Sequence, residues 1–125
     1  MVLRDNLFYI KSIATTDKGV LFLLDLNPEH FIYQAHFPGR PITPGVCIVQ
    51  IVKELLEIQL KQCLEIKKVK NVKFLSVISP DENLHVSCEL TNIQVDPEQQ
   101  LVKVQAVVTS EVEVYAKVSI ICGLL

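Results

Sequence analysis

The stretch GVCIVQIVKELLEIQLKQ, Gly45 to Gln62, decides the fold. Projected at about 100° per residue, Val46, Cys47, Ile48, Val49, Ile51, Val52, Leu55, Leu56, Ile58 and Leu60 spread over more than half the circumference of a helix. Gln50, Lys53, Glu54, Glu57 and Lys61 gather in one narrow polar stripe, and Gln59 alone intrudes on the apolar side. A helix lying on a surface needs a narrower apolar face, so this one is expected to be covered on most sides, as a helix wrapped by a curved sheet is.

Strand patterns lie on both sides of it. Upstream, Phe8 to Thr16 alternates, and Lys18 to Leu26 is apolar on both faces and therefore expected inside a sheet, with Asp17, Lys18 and Gly19 supplying the turn. Asn27 to Ala35 reads as a connection with a short helical turn begun at Pro28. Downstream, Lys67 to Ile78 reads as a strand, with a turn at Ser79 to Glu82. From Leu84 the chain alternates strictly, with Leu84, Val86, Cys88 and Leu90 on one face and His85, Ser87, Glu89 and Thr91 on the other. A turn at Asp96 to Glu98 leads to strands from Leu101 and from Glu113. Two strands, one long helix and about four further antiparallel strands make an α+β fold, one helix against one sheet, with residues 1–125 as one domain.

Composition excludes several classes. Twelve basic and fourteen acidic residues are interspersed for a net charge of −2, with no dense basic face for nucleic acid. No apolar run approaches the roughly 20 residues that span a bilayer. The N-terminus carries charges at once and lacks the apolar core of a signal peptide, so a cytoplasmic protein is expected, with no membrane partner. Cys47, Cys63, Cys88 and Cys122 form no CxxC pair and have no histidine at ligand spacing, so neither metal nor cofactor is expected, and Cys47 reads as a packing residue.

The segment HFPGRPITPGV, His36 to Val46, holds three prolines and two glycines before the helix. Pro38 and Pro41 favour an extended path, and Gly45 after Pro44 opens a helix whose first N–H groups lack partners. Such a terminus, without a side chain in the way, can receive a carbonyl oxygen and stabilise negative charge on it. A histidine can act as a general base near neutral pH, so His36 and Gly45 together suggest enolate chemistry next to a thioester carbonyl. The same residues also fit a structural histidine among tight turns, and spacing alone leaves both readings open.

The segment closely resembles the signature of the β-hydroxyacyl-acyl carrier protein dehydratases of type II fatty acid synthesis, whose pattern reads H-F-P-G-x-P-x-x-P-G. NPEHFIYQA before it and VKFLSVISPDENL after it look like the corresponding family segments. The resemblance implies a hotdog fold and a dimer with each site between two subunits. It also implies elimination of water from a 3-hydroxyacyl thioester to a trans-2-enoyl thioester, in fatty acid or related polyene or pigment synthesis, with acyl carrier protein as partner.

Carried over by residue, His36 resembles the catalytic histidine, and Gly45 matches the glycine whose N–H polarises the thioester carbonyl. The second catalytic position, a glutamate or aspartate fourteen residues after the histidine, is Gln50 here. Glutamine hydrogen-bonds but cannot release a proton, a loss that costs about 10² to 10⁴ in rate, or roughly 3 to 5 kcal/mol. Glu54, one turn along the same stripe, is a candidate substitute, and Tyr33 a weaker one. Phe37, Pro38, Gly39, Arg40, Pro44, Val46 and Val49 are expected along the substrate path, with Ile42, Phe74 and Leu75 as tunnel or core. Arg40 at the tunnel mouth, with Lys67, Lys68, Lys70 and Lys73, suits an acidic carrier protein or the phosphate of its phosphopantetheine arm. His30 and His85 read as surface residues. Three functions follow: a dehydratase with a modified acid site, working as a homodimer or higher homo-oligomer; a subunit that binds carrier protein or pairs with a complete homologue in a mixed hotdog dimer; and a hotdog thioesterase.

Overall fold

The alternating and helical patterns resolve into six strands and two helices in a computed structural model that describes residues 2–125. The order is β1 (Phe8–Thr15), β2 (Gly19–Leu26), α1 (Ile32–Ala35), α2 (Gly45–Leu60), β3 (Leu64–Phe74), β4 (His85–Asp96), β5 (Leu101–Thr109) and β6 (Val114–Leu124). The strands form one sheet in the order β1-β2-β4-β5-β6-β3, with every neighbouring pair antiparallel. This is the α+β hotdog arrangement, with α2 against the sheet and β1 and β3 as its two edges.

Alternation puts the core on one face of each strand. Val86, Cys88 and Leu90 of β4, Val102, Val104, Ala106 and Val108 of β5, and Val118, Ile120 and Cys122 of β6 are buried with Val52, Leu55 and Leu56 of α2. β2 lies between β1 and β4, as its two apolar faces lead one to expect, although Leu23 on its outer face stays 41% exposed. A Cβ built on Gly19 would fall on the Leu90 carbonyl, so the close approach of β2 to β4 there requires glycine.

The structure moves the third strand. β3 begins at Leu64 rather than Lys67 and ends at Phe74, because the ladder to β6 stops at the Phe74–Ala116 pair. The next two amides, of Leu75 and Ser76, both donate to the Tyr115 carbonyl at 2.8 and 3.2 Å, which no regular strand can continue. Two register shifts, between Ile66 and Lys68 and between Val69 and Asn71, bend the lysine-rich part of this edge. α2 ends two residues short of Gln62, where Lys61 takes a left-handed conformation (φ 54°) and donates its N–H to Glu57 and Ile58.

Two residues of α2 depart from the helical projection. Val46, on the arc expected to be covered, is 68% exposed, and Glu54, on the polar stripe, is 5% exposed. In the first turn of α2 Val46 faces solvent while Cys47 and Ile48 are buried, and residues 3 and 4 are hydrogen-bonded across Glu54. Among the described residues no helix is long and apolar enough to cross a membrane, and no group of three or more His, Cys, Asp or Glu could hold a metal ion.

Candidate active site

The proline-rich segment is a loop closed by its own backbone. Phe37 and Arg40 exchange N–H to carbonyl bonds at 3.1 and 2.9 Å around Pro38 and Gly39, and Gly39 takes φ 75°, the left-handed region that glycine enters without strain. The Ile42 N–H then donates to the His36 carbonyl at 2.8 Å, and Thr43 N–H donates to Ile78 at 2.8 Å, which ties the loop to the segment after β3. α1 is fixed to the same loop by the buried Tyr33 and Thr43 hydroxyls, 2.9 Å apart. Burial pushes the Tyr33 phenol above its ordinary value, which makes it a poorer proton donor.

His36 is half-buried and its ring stacks on Phe37, with centroids 4.0 Å apart. Its Nδ1 lies 3.2 Å from the Ile42 carbonyl oxygen. A carbonyl can only accept, so Nδ1 carries a proton in this contact, and in the neutral ring Nε2 is then the nitrogen with the lone pair that a general base uses. Pro44 is the extended N-cap residue of α2 (φ −60°, ψ 145°), and Cys47 and Ile48 make the first helical bonds back to its carbonyl. Gly45 and Val46 therefore head the helix with N–H groups ahead of the intrahelical ladder. A Cβ on Gly45 would come within 2.7 and 2.9 Å of the Phe74 ring, so the glycine lets that half-exposed ring cover the helix start.

Gln50 stands elsewhere. Five residues on from Gly45, it is turned about 140° around the helix and lies roughly 7.5 Å along it. It lines an open cavity of about 480 Å³ with Val2, Arg4, Lys53, Glu54 and Glu57, a lining that does not include His36 or Gly45. Its amide nitrogen donates to Glu54 Oε2 at 2.8 Å. Glu54 also accepts from the Leu3 N–H, at 3.1 Å on Oε1 and 2.9 Å on Oε2, and from the Arg4 N–H at 2.8 Å on Oε1.

Phe37, Pro38, Gly39, Arg40 and Val46 are exposed around the motif, while Ile42, Pro44 and Val49 are half-buried. Phe74, Leu75 and Val77 add exposed apolar surface at the end of β3, so Phe74 and Leu75 belong to this surface rather than to the protomer's core. Lys67, Lys68, Lys70 and Lys73 are exposed on the β3 edge. Cys47 is buried, and burial pushes its thiol upward, the environment of a packing residue rather than a nucleophile.

A family model for ApeI dehydratases, the ApeI-like family, matches residues 12–115. The chain belongs to the ApeI-like dehydratase family. Solved structures share its fold at low identity. A chain of the dehydratase heterocomplex ApeI:P from Xenorhabdus doucetiae is 18% identical with a TM-score of 0.65, covering 92% of this chain and 96% of that one. An uncharacterized protein from Erwinia carotovora subsp. atroseptica is 20% identical with a TM-score of 0.60, covering 92% and 93%. A conserved protein from Pseudomonas aeruginosa is 10% identical with a TM-score of 0.63, covering 94% and 88%.

Two arrangements of this ApeI-like chain escape sequence reasoning. Glu54 gathers the N-terminal segment and Gln50 around a buried carboxylate, and its position on a polar stripe gives no signal of that. His85, exposed as expected, has its Nδ1 2.6 Å from Asp25 Oδ1, a pair brought together by the register that sets Asp25 of β2 opposite His85 of β4. His30 is a loop residue whose Nδ1 accepts the Ile32 N–H at 3.1 Å.

Proposed function

We propose that the chain binds 3-hydroxyacyl thioesters carried by acyl carrier protein and takes part in their dehydration to trans-2-enoyl thioesters, in fatty acid or related polyene or pigment synthesis. The observation that carries this is the His36 hydrogen bond to Ile42, which leaves Nε2 as a base in the loop that leads into the helix start at Gly45. Nε2 takes the proton from C2 of the thioester, and the Gly45 N–H with the helix terminus holds the oxyanion of the resulting enolate. The electron pair then re-forms the carbonyl and makes the C2–C3 double bond as the C3–O bond breaks. The departing hydroxide leaves as water by taking a proton, which the imidazolium formed at His36 carries and the amide of Gln50 does not have to give. The exposed apolar surface of Phe37, Val46, Phe74 and Leu75 suits an acyl chain, and Arg40 suits the phosphate of the arm.

A second reading gains support from two observations, namely a chain that completes its site by pairing with a different hotdog chain. Gln50 and the Gly45 terminus occupy different faces of α2, which favours a site completed by a residue of a second subunit. The free edge of β3 carries Lys67, Lys68, Lys70 and Lys73 against a single acid, Glu65, which is already 3.1 Å from Lys67. Pairing this edge with its own copy about Val69 sets Lys68 against Lys70 twice, and about Lys70 it sets Lys67 against Lys73. Opposed like charges are unfavourable across strands, and an acidic partner edge relieves them. The similar dehydratase from Xenorhabdus doucetiae is itself a heterocomplex.

The test is mass spectrometry of 3-hydroxyacyl thioesters on acyl carrier protein after incubation with the purified chain. Dehydration that His36→Ala abolishes supports the first reading. Release of free acid instead of an enoyl thioester would overturn it in favour of hydrolysis. Turnover that appears only when a carboxylate-bearing hotdog chain is added supports the second.

A further inference from the structure

Two buried hydroxyls tie the motif loop together and take no part in the proton movements. Tyr33 and Thr43 are 3% and 4% exposed, and their oxygens stand 2.9 Å apart. A hydroxyl sealed from water is costly without a partner, and an apolar pair would fill the same space without that demand. What two hydroxyls add is a fixed separation, because a hydrogen bond has a narrow range of length and an apolar contact does not. Tyr33 belongs to α1, three residues before His36, and Thr43 stands two residues before Gly45. The pair therefore spans the loop from the histidine to the helix start. Backbone bonds hold each side separately. The His36 N–H donates to the Ile32 carbonyl at 2.9 Å, which fixes the histidine to α1, and the Thr43 N–H donates to Ile78 at 2.8 Å, which fixes Thr43 to the segment after β3. The Tyr33–Thr43 bond is the side-chain link between the two.

We propose that Tyr33 and Thr43 are positioning residues, a brace that sets His36 Nε2 and the Gly45 N–H at the separation needed to enolise an acyl thioester. This rests on the reading of the chain as an acyl thioester binder. The same brace keeps Ile42 against the His36 ring, since Ile42 directly precedes Thr43 and its carbonyl oxygen lies 3.2 Å from Nδ1. Loosening Thr43 frees that carbonyl and with it the preference for a proton on Nδ1. Neither hydroxyl touches the substrate. The phenol, held above its ordinary value by burial, keeps its proton for this bond.

Enolisation is readable without the loss of a leaving group. In deuterium oxide Nε2 takes a proton from C2, the electron pair moves to the carbonyl oxygen, the imidazolium exchanges its proton with solvent, and a deuteron returns to C2. The probe is a saturated acyl pantetheine thioester, which has no hydroxyl to lose and so needs no acid at position 50. Its mass is followed after incubation with the full-length chain, and wild type should incorporate deuterium. Tyr33→Phe and Thr43→Val each remove one hydroxyl and keep the bulk, and each should slow incorporation about ten- to a hundredfold at an unchanged half-saturating concentration. The double variant should be no slower than either single one, and Thr43→Ser should keep the wild-type rate. Nitrogen NMR of the His36 ring should show a protonated Nδ1 in wild type and Thr43→Ser, and a mixture of tautomers in Tyr33→Phe and Thr43→Val. Wild-type rates in both hydroxyl-free variants, or losses that multiply in the double variant, overturn the brace. No exchange by wild type, with the His36 signature still following the hydroxyls, overturns the thioester reading instead.

Discussion

Gln50→Glu places a second carboxyl 2.8 Å from Glu54 Oε2, at the position of the amide nitrogen. Two carboxylates at that distance repel by about 6 kcal/mol at an effective dielectric of 20 and by about 1.5 kcal/mol in bulk water. The cavity is open and also faces the cations of Arg4 and Lys53 and the carboxylate of Glu57, so the lower part of that range applies. The pair should therefore share one proton, held to higher pH than an isolated glutamate holds its own because the two like charges repel. The shifted pKa belongs to the folded state and lies above the unfolded value. The variant should match wild type in stability at acid pH, where both carboxyls are protonated, and lose stability on the order of the 1.5 kcal/mol repulsion as pH rises and the shared proton leaves, read from chemical denaturation at a series of pH values. The same shared proton is a carboxylic acid available for the leaving hydroxide. Dehydration by the variant should exceed wild type by about 10² or more at pH 6 and fall off above pH 7. A stability difference that stays constant from pH 4 to 8 would refute the geometry, because it would mean that the two groups do not share a proton.

The β3 edge predicts unlike pairing: wild type alone and Lys68→Glu/Lys70→Glu alone should sediment as monomers at micromolar concentration, while an equal mixture dimerises and dissociates in high salt. A salt-insensitive dimer of wild type alone would remove the charge argument. Gly19→Ala should cost more than about 2 kcal/mol, because the added carbon falls on the Leu90 carbonyl and must open the β2–β4 ladder, so an unchanged melting temperature contradicts the register. Burial holds the Cys122 thiol up at about 11 and that of Cys88 up at about 12, whereas Cys63 is exposed. A thiol reagent at pH 8 should label Cys63 alone in the native protein. Because the folded state keeps these protons longer than the unfolded chain, stability should hold to about pH 9 and then decline by roughly 1.4 kcal/mol per pH unit for each such thiol.

The sequence carries the fold where packing follows from periodicity. The alternation of Val86, Cys88 and Leu90 and the broad apolar arc of α2 both survive as the core, because burying a face is a local pattern repeated in every copy of the element. β3 was displaced for the opposite reason. Its limits depend on where β6 stops offering partners and on bulges that no local pattern encodes, and Leu64 is buried by a strand sixty residues away. At the site, the motif gives the loop its turns and so gives His36 its tautomer, since Gly39 and the prolines fix the path that brings Ile42 back to the ring. Glu54 was invisible because its partners are the backbone amides of Leu3 and Arg4, and a backbone amide has no letter in a sequence.

Dehydration needs two proton movements, and this chain treats them differently. In the proposed reaction the half that removes a proton from C2 draws on His36, whose Nδ1 meets the Ile42 carbonyl, and on the helix start at Gly45, from which the Phe74 ring must swing away to admit a carbonyl oxygen. The half that protonates the leaving hydroxide has a glutamine where the resemblance calls for an acid, and that glutamine is held by a buried carboxylate rather than left loose. A position that had merely decayed would not need Glu54 to face it with an acceptor. Glu54 beside a carboxylic acid would keep that acid protonated to higher pH, and beside an amide it accepts the amide's N–H. The substitution Gln50→Glu therefore adds the proton donor that this stripe lacks, and in a pair of unlike chains a carboxyl on the partner's stripe would supply it instead.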